Sequence, residues 1–172
     1  MLFRSREASE IGDRIAVIHE GRLEQTGVYS EVFFEPKNRK VSNLLGSPNL
    51  FYCRGFFPLI SGLAKVELKG VSLVVPYDGR PVGMIAISPG NIYISREEPP
   101  GPQINRIRGK ILEIARRLPV IKVVVGCGDE RIIVEVEAEI WNETGLRKGD
   151  SAFLILPLRW IRVKYDDGST SL

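Results

Sequence analysis

Arg14-Ile15-Ala16-Val17-Ile18 is a short apolar run of the kind that fills a buried strand. Glu20-Gly21 supplies a tight turn and Arg22 to Thr26 returns as a second strand, so a hairpin ended by Gly27 is predicted. Val28 to Phe34 reads as a short helix stopped before Pro36, because proline disfavours helical backbone in its predecessor. Lys37 to Leu45 reads as a second helix, with Gly46 placed for a left-handed cap. Upstream, Arg6 to Gly12 reads as a helix end with Gly12 as its stop.

From Asn49 the pattern turns to period two with frequent turn residues. Val66 to Leu68, Val71 to Val75, Met84 to Ile87 and Ile92 to Ser95 are predicted strands, with a turn at Asp78-Gly79. A Pro- and Glu-rich linker, Glu97 to Pro102, precedes a second block. That block predicts strands at Ile107 to Ala115, Val120 to Val125, Ile132 to Ile140, Ser151 to Leu156 and Trp160 to Lys164. Gly126 to Asp129 and Arg147 to Asp150 serve as its turns. Five short strands in this spacing suggest a small closed barrel of OB type. The blocks echo each other: each has a strand after a Gly turn, then a proline (Pro89, Pro157), then a closing strand, which reads as a weak internal repeat. The expected fold class is mainly β, an OB-like small β-barrel preceded by a short α/β segment. The expected organisation is 1–46, a first β segment 47–97, a linker 98–103, a second β segment 104–165 and a tail 166–172.

Composition narrows the function classes. A chain of 172 residues suits one domain, or one and a half, and a hydrophobic fraction of 44% suffices for a core. The 17 Gly and 11 Pro are spread along the chain and act as punctuation rather than marking disorder. A net charge of +3 is too small to argue a nucleic-acid or membrane partner by itself. Cys53 and Cys127 have no paired spacing and read as thiols in a reducing compartment rather than a disulfide. No apolar run approaches the ~18 residues of a membrane span, and the N-terminus has no secretory signature. A cytoplasmic location is expected, with any membrane association going through a partner.

Glu7-Ala8, Asp13-Arg14, Gly21, Gln25-x-Gly27, Glu31-Val32-Phe33 and Pro36 stand in an order and spacing that resemble the last segment of the nucleotide-binding domain of ABC importer ATPases. The switch histidine of that family would fall at Phe3, and the Asp after it at Arg4. No GxxxxGK[ST] loop, Mg²⁺-holding Asp or signature motif is present, so no ATP hydrolysis is expected of these residues. His19 reads as a solvent-edge turn residue. A hairpin and two helices cover little apolar surface, so Ile15, Val17, Val32, Phe33, Phe34 and Leu44 are expected to be exposed unless something packs on them. The region is accordingly expected to be poorly ordered, to dock on the β domain, or to pair with another copy.

Residues 47–164 are similar to the TOBE, or molybdate-binding-protein-like, domain that follows the ATPase in many importers. The resemblance rests on Ile87 to Ser95, Asn105-x-x-x-Gly109-Lys110-Ile111, Val123 to Val125, Leu146 to Asp150 and Ile161 to Val163. It implies a dimerising accessory domain. It also implies a structural or regulatory role for that domain, which in some members of the family also senses a molybdate or tungstate ligand, with no other cofactor, and a full-length ABC ATPase and membrane permease as partners. It further implies an oxyanion site built from Asn105, Gly109, Lys110 and Thr144, since a tetrahedral dianion needs converging N–H and O–H donors. The sequence departs from that pattern at Pro102 and Ile104, where Ser and Arg are usual, and near Pro157, which has no N–H. Asn105 reads first as a turn or strand-start residue that satisfies local backbone, and Thr144 as an ordinary turn hydroxyl. A stand-alone oxyanion-binding protein is the alternative.

Arg106, Arg108 and Lys110 share one strand face and raise an OB-type nucleic-acid reading, but the interleaved aromatics of a stacking platform are missing. Glu135, Glu137 and Glu139 alternate and read as a charged outer face rather than a metal site. One histidine supports neither a catalytic triad nor a metal cage.

Overall fold

The computed structural model describes residues 13–166. The expectations for Arg6 to Gly12, Phe3 and Arg4, and for the tail beyond 166, lie outside the described residues. The chain divides into two compact units, Met1–Pro48 and Asn49–Leu172.

In the first unit, β1 (Ile15–His19) and β2 (Arg22–Gly27) form an antiparallel hairpin. Glu20 and Gly21 both have positive φ, 50° and 74°, which matches the right-handed twist of the flanking strands. Helices α1 (Tyr29–Phe34) and α2 (Arg39–Leu44) follow. Asn38 caps α2 by accepting from the Val41 N–H at 3.0 Å, and Gly46 takes the left-handed conformation beyond its end. Gln25 brackets Pro36: its amide donates to the Glu35 carbonyl at 3.1 Å and its oxygen accepts from the Lys37 N–H at 2.7 Å. A Cβ on Gly27 would come within 3.1 Å of Val32, so Gly27 lets α1 pack closely. The spacing of Gln25, Gly27 and Pro36 therefore has a structural reason. Val17, Val32, Phe33 and Phe34 are buried and Leu44 stays exposed. The apolar pair that remains open is Ile18 and Leu23, opposite each other in the hairpin.

The second unit is mainly β, as expected. Its strands are β3 (Asn49–Tyr52), β4 (Gly55–Pro58), β5 (Leu63–Glu67), β6 (Ser72–Pro76), β7 (Val82–Ile87), β8 (Tyr93–Ser95), β9 (Arg106–Arg117), β10 (Val120–Cys127), β11 (Glu130–Glu137), β12 (Ser151–Ile155) and β13 (Arg162–Tyr165). Sheet orders are β11-β10-β9-β12-β8, β13-β7-β3 and β4-β5-β6. β10 shows why the core forms: Ile121, Val123, Val125 and Cys127 alternate inward by the period of two.

Three details differ from the sequence reading. The four-residue strands β3 and β4 carry no readable alternation and were not expected. Helix α3 (Ala138–Thr144) ends the strand expected over Ile132 to Ile140. Good helix formers, Trp141 turned into the core and Gly145 as left-handed cap (φ 60°) override strand periodicity there. Trp160 belongs to a 3-10 turn, Leu158–Trp160, and the closing strand starts at Arg162.

The weak repeat corresponds to a pseudo-two-fold arrangement. β3 pairs with β7 as Asn49↔Ile87 through Tyr52↔Met84, and β9 pairs with β12 through Arg106↔Ile155. After a 3-10 turn in each half, β8 pairs with β12 of the other half, and β13 returns to β7. The registers correspond: Tyr93↔Ile155, Ile94↔Leu154 and Ser95↔Phe153 match Arg162↔Ala86, Val163↔Ile85 and Lys164↔Met84. Each half has exchanged its last strand with the other. Near the axis two hairpin turns meet, where Asp129 N–H donates to the Lys69 carbonyl at 2.9 Å. A Cβ on Gly128 would stand 2.9 Å from the Gly70 backbone, a distance no side chain tolerates.

Candidate functional site

Asn105 opens β9 with φ 54° and is 6% exposed. Its side chain closes a two-bond clamp on the other half: Oδ1 accepts from the Val74 N–H and Nδ2 donates to the Val74 carbonyl, both at 2.7 Å. This holds Gln103–Arg106 against β5 and β6. Between them lies an open depression of about 340 Å³, lined by Lys65, Ser72, Leu73 and Val74 from one half and Gln103, Ile104, Asn105 and Arg106 from the other.

The residues that line this depression carry charge of one sign, and the nearest carboxylate in register is Glu67, opposite Ser72. Lys65 and Arg106 bring two cations, and no carboxylate lines it. Arg106 donates Nη1–H to the Pro99 carbonyl and Nη2–H to the Pro100 carbonyl, the latter at 2.6 Å. Those carbonyls satisfy N–H groups without neutralising the charge. The Arg106 Nε–H is buried and has no hydrogen-bond partner. Among the described residues neither Lys65 nor Arg106 forms an ion pair. Ser72 and Gln103 add a hydroxyl and an amide. A surface of N–H and O–H donors with net positive charge attracts a group that offers only acceptors.

The four residues expected from sequence divide between two places. Asn105 borders the depression, with its amide engaged on Val74. Gly109 sits where β9 passes β10 so closely that a Cβ would come within 2.6 Å of the Gly126 carbonyl. Lys110 is exposed, opposite Ser151 and Gly126. It is five residues along β9 from Asn105, about 17 Å at the strand rise. Thr144 ends α3: its hydroxyl donates to the Trp141 carbonyl at 2.7 Å and accepts from the Leu146 N–H at 3.1 Å. The carbonyl of Thr144 accepts from Arg96 Nε–H at 3.0 Å, and Arg96 also meets Asp150 at 3.3 Å. Gly109, Lys110 and Thr144 thus lie around the start of β12, away from Asn105.

Lys65, Ser72 and Gln103 were not singled out by sequence, and Arg106 only as part of a basic strand face. On that face Arg108 is engaged locally: it donates to the Ser151 hydroxyl at 2.9 Å and lies over the Phe153 ring at 5.7 Å. The signal that would have found the depression is tertiary, since Lys65 and Ser72 reach Arg106 through the Asn105 clamp. The thiols stand apart from this chemistry; burial pushes Cys53 and Cys127 up to about 11, with the Asp166 charge a smaller contribution at Cys53. Among the described residues no helix is long and apolar enough to cross a membrane, and no group of His, Cys, Asp or Glu could hold a metal ion.

No protein-family model matches the sequence. The molybdate/tungstate import ATP-binding protein WtpC of Pyrococcus abyssi is 27% identical over 160 residues, covering 91% of this chain and 44% of that protein. The sulfate/thiosulfate import ATP-binding protein CysA of Nitrosomonas europaea is 30% identical over 153 residues, covering 86% of this chain and 40% of that protein. The chain thus spans less than half the length of these curated relatives. Among solved structures, the cytoplasmic molybdate-binding protein ModG with molybdate bound aligns with a TM-score of 0.53 at 17% identity. That alignment covers 69% of this chain and 96% of ModG, and it shows a shared fold. Homologues of this chain therefore include the ATP-binding subunits of molybdate/tungstate and sulfate ABC importers, matched in their C-terminal part.

Proposed function

We propose that the second unit is the regulatory part of an ABC importer ATP-binding subunit. In this reading it takes a tetrahedral oxyanion (molybdate, tungstate or sulfate) in the depression beside Asn105. The observation that carries the reading is the pairing of Lys65 with Arg106 in one depression that no carboxylate lines. The relatives' names and the ModG fold support the ligand class. Asn105 builds the wall by its clamp on Val74, and the donors are Lys65, Ser72, Gln103 and Arg106. Gly109, Lys110 and Thr144 form the competing location for the same ligand. The partners of this reading are a second copy, the ATPase machinery and a membrane permease, at the inner face of the membrane. The residues of this chain hydrolyse no ATP by themselves.

Titration calorimetry of the chain with tungstate, molybdate and sulfate tests the ligand class. Saturable binding that falls with added salt is expected, because the attraction is largely one of charge. Absence of binding of all three at millimolar concentration would falsify the reading. In parallel, the purified chain should release phosphate from ATP no faster than buffer; robust hydrolysis would overturn the non-catalytic assignment.

A further inference from the structure

The pseudo-two-fold arrangement of the second unit places Asn49 where Asn105 has its counterpart. Asn49 is likewise buried and clamps the other half: Oδ1 accepts from the Ile133 N–H at 2.7 Å and Nδ2 donates to the Ile133 carbonyl at 2.8 Å. Val74 and Ile133 therefore correspond. Their strand partners correspond as well, since Lys65 pairs with Val74 and Val124 pairs with Ile133. By the same registers Ser72, opposite Glu67, corresponds to Arg131, opposite Gly126. Arg106, opposite Ile155, corresponds to Leu50, opposite Ala86. The framework that makes the depression is present twice.

The chemistry is present once. At the Asn49 end the two cationic positions are Val124 and Leu50. The counterpart of Ser72 there, Arg131, is already neutralised by an ion pair with Glu113. At the Asn105 end Lys65 and Arg106 have no carboxylate partner among the described residues, and Arg106 keeps a buried Nε–H unmatched. We infer that each chain holds a single oxyanion site, bridging the halves between Lys65–Ser72 and Gln103–Arg106, and that the Asn49 end serves structure only. This inference rests on the oxyanion reading and adds its stoichiometry and its residues. A bound dianion would tie β5 and β6 of one half to the start of β9 of the other.

Native mass spectrometry of the full chain with tungstate counts ligands per chain, and calorimetry gives the affinity. Lys65→Ala, Arg131→Ala and Lys110→Ala are compared with the parent chain, with circular dichroism confirming the fold. Lys65 and Lys110 are exposed, so their removal leaves the core intact. The expected result is one tungstate per chain. Lys65→Ala should weaken binding roughly tenfold or more, as expected for a hydrogen bond to a charged group. Lys65→Arg should restore part of that loss, and Arg131→Ala and Lys110→Ala should bind as the parent does. Two tungstates per chain, or loss in Arg131→Ala or Lys110→Ala with Lys65→Ala unaffected, would overturn the single-site inference while leaving oxyanion binding intact. No tungstate, molybdate or sulfate bound at all would overturn the inference together with the reading beneath it.

Discussion

Asn49 and Asn105 show how one side chain can do what a strand otherwise does. Each supplies an acceptor and a donor to both backbone groups of a residue in the opposite half. Truncation would leave two partly or wholly buried backbone groups unmatched, at about 1–3 kcal/mol for each group that water cannot reach. Asn105→Ala should therefore lower the unfolding free energy by about 2–4 kcal/mol in a urea titration. Asn105→Asp should fall between, since a carboxylate accepts from Val74 N–H but cannot donate to its carbonyl. A shift in the alanine variant no larger than that of an ordinary surface substitution would show that the clamp is replaced by water. The asparagine was legible in the sequence as a strand-start residue satisfying backbone. Its partner was not, because Val74 lies 31 residues away and nothing in the local pattern points to it.

At the scale of elements, the reciprocal exchange of β8 and β13 decides how the unit holds together. Neither half completes its sheet without a strand from the other. Local opening of one half therefore exposes the strand edge of its neighbour. The halves should unfold in one cooperative transition. Native-state hydrogen exchange checks this: the amides of β5 and β10 should lose protection at the same denaturant concentration. Val75→Ala, in the first half, should lower both equally. Separate midpoints for β5 and β10 would show that the exchange does not couple them. The sequence indicated a repeat through its matching proline and closing-strand pattern, yet it did not indicate the exchange. A period-two pattern states which face of a strand is buried and says nothing about which neighbour it pairs with.

For the whole molecule, stability should depend on pH at the alkaline side. Cys53 and Cys127 are raised to about 11 by burial, while an unfolded thiol titrates near ~8.5. Below that value both states keep the proton and the contribution is complete. As pH rises the unfolded chain loses its thiol protons first, so stability falls until the folded thiols ionise. Burial likewise raises the Tyr165 hydroxyl, which adds a change of the same sign at higher pH. The thermal midpoint should decline from about pH 8.5 upward, and a Cys53→Ala, Cys127→Ala double variant should flatten the decline. An unchanged slope in that variant would assign the alkaline loss to other groups.

By itself the sequence determined the hairpin and two short helices of the first unit, most strands of the second, and the importer family they resemble. These are local properties: turn residues, caps and alternation are written in consecutive positions. It also marked Asn105 as a strand-start residue, which the structure places beside the depression. Helix α3, the strands β3 and β4, and the make-up of the depression were decided by the tertiary structure. Short strands gain their stability from partners rather than from their own pattern. Lys65, Ser72 and Arg106 acquire a common chemistry only when strand pairing and the Asn105 clamp bring two distant segments together. The unequal ends of the pseudo-two-fold depend on the same pairing, because register alone places Val124 and Leu50 where Lys65 and Arg106 stand in the other half.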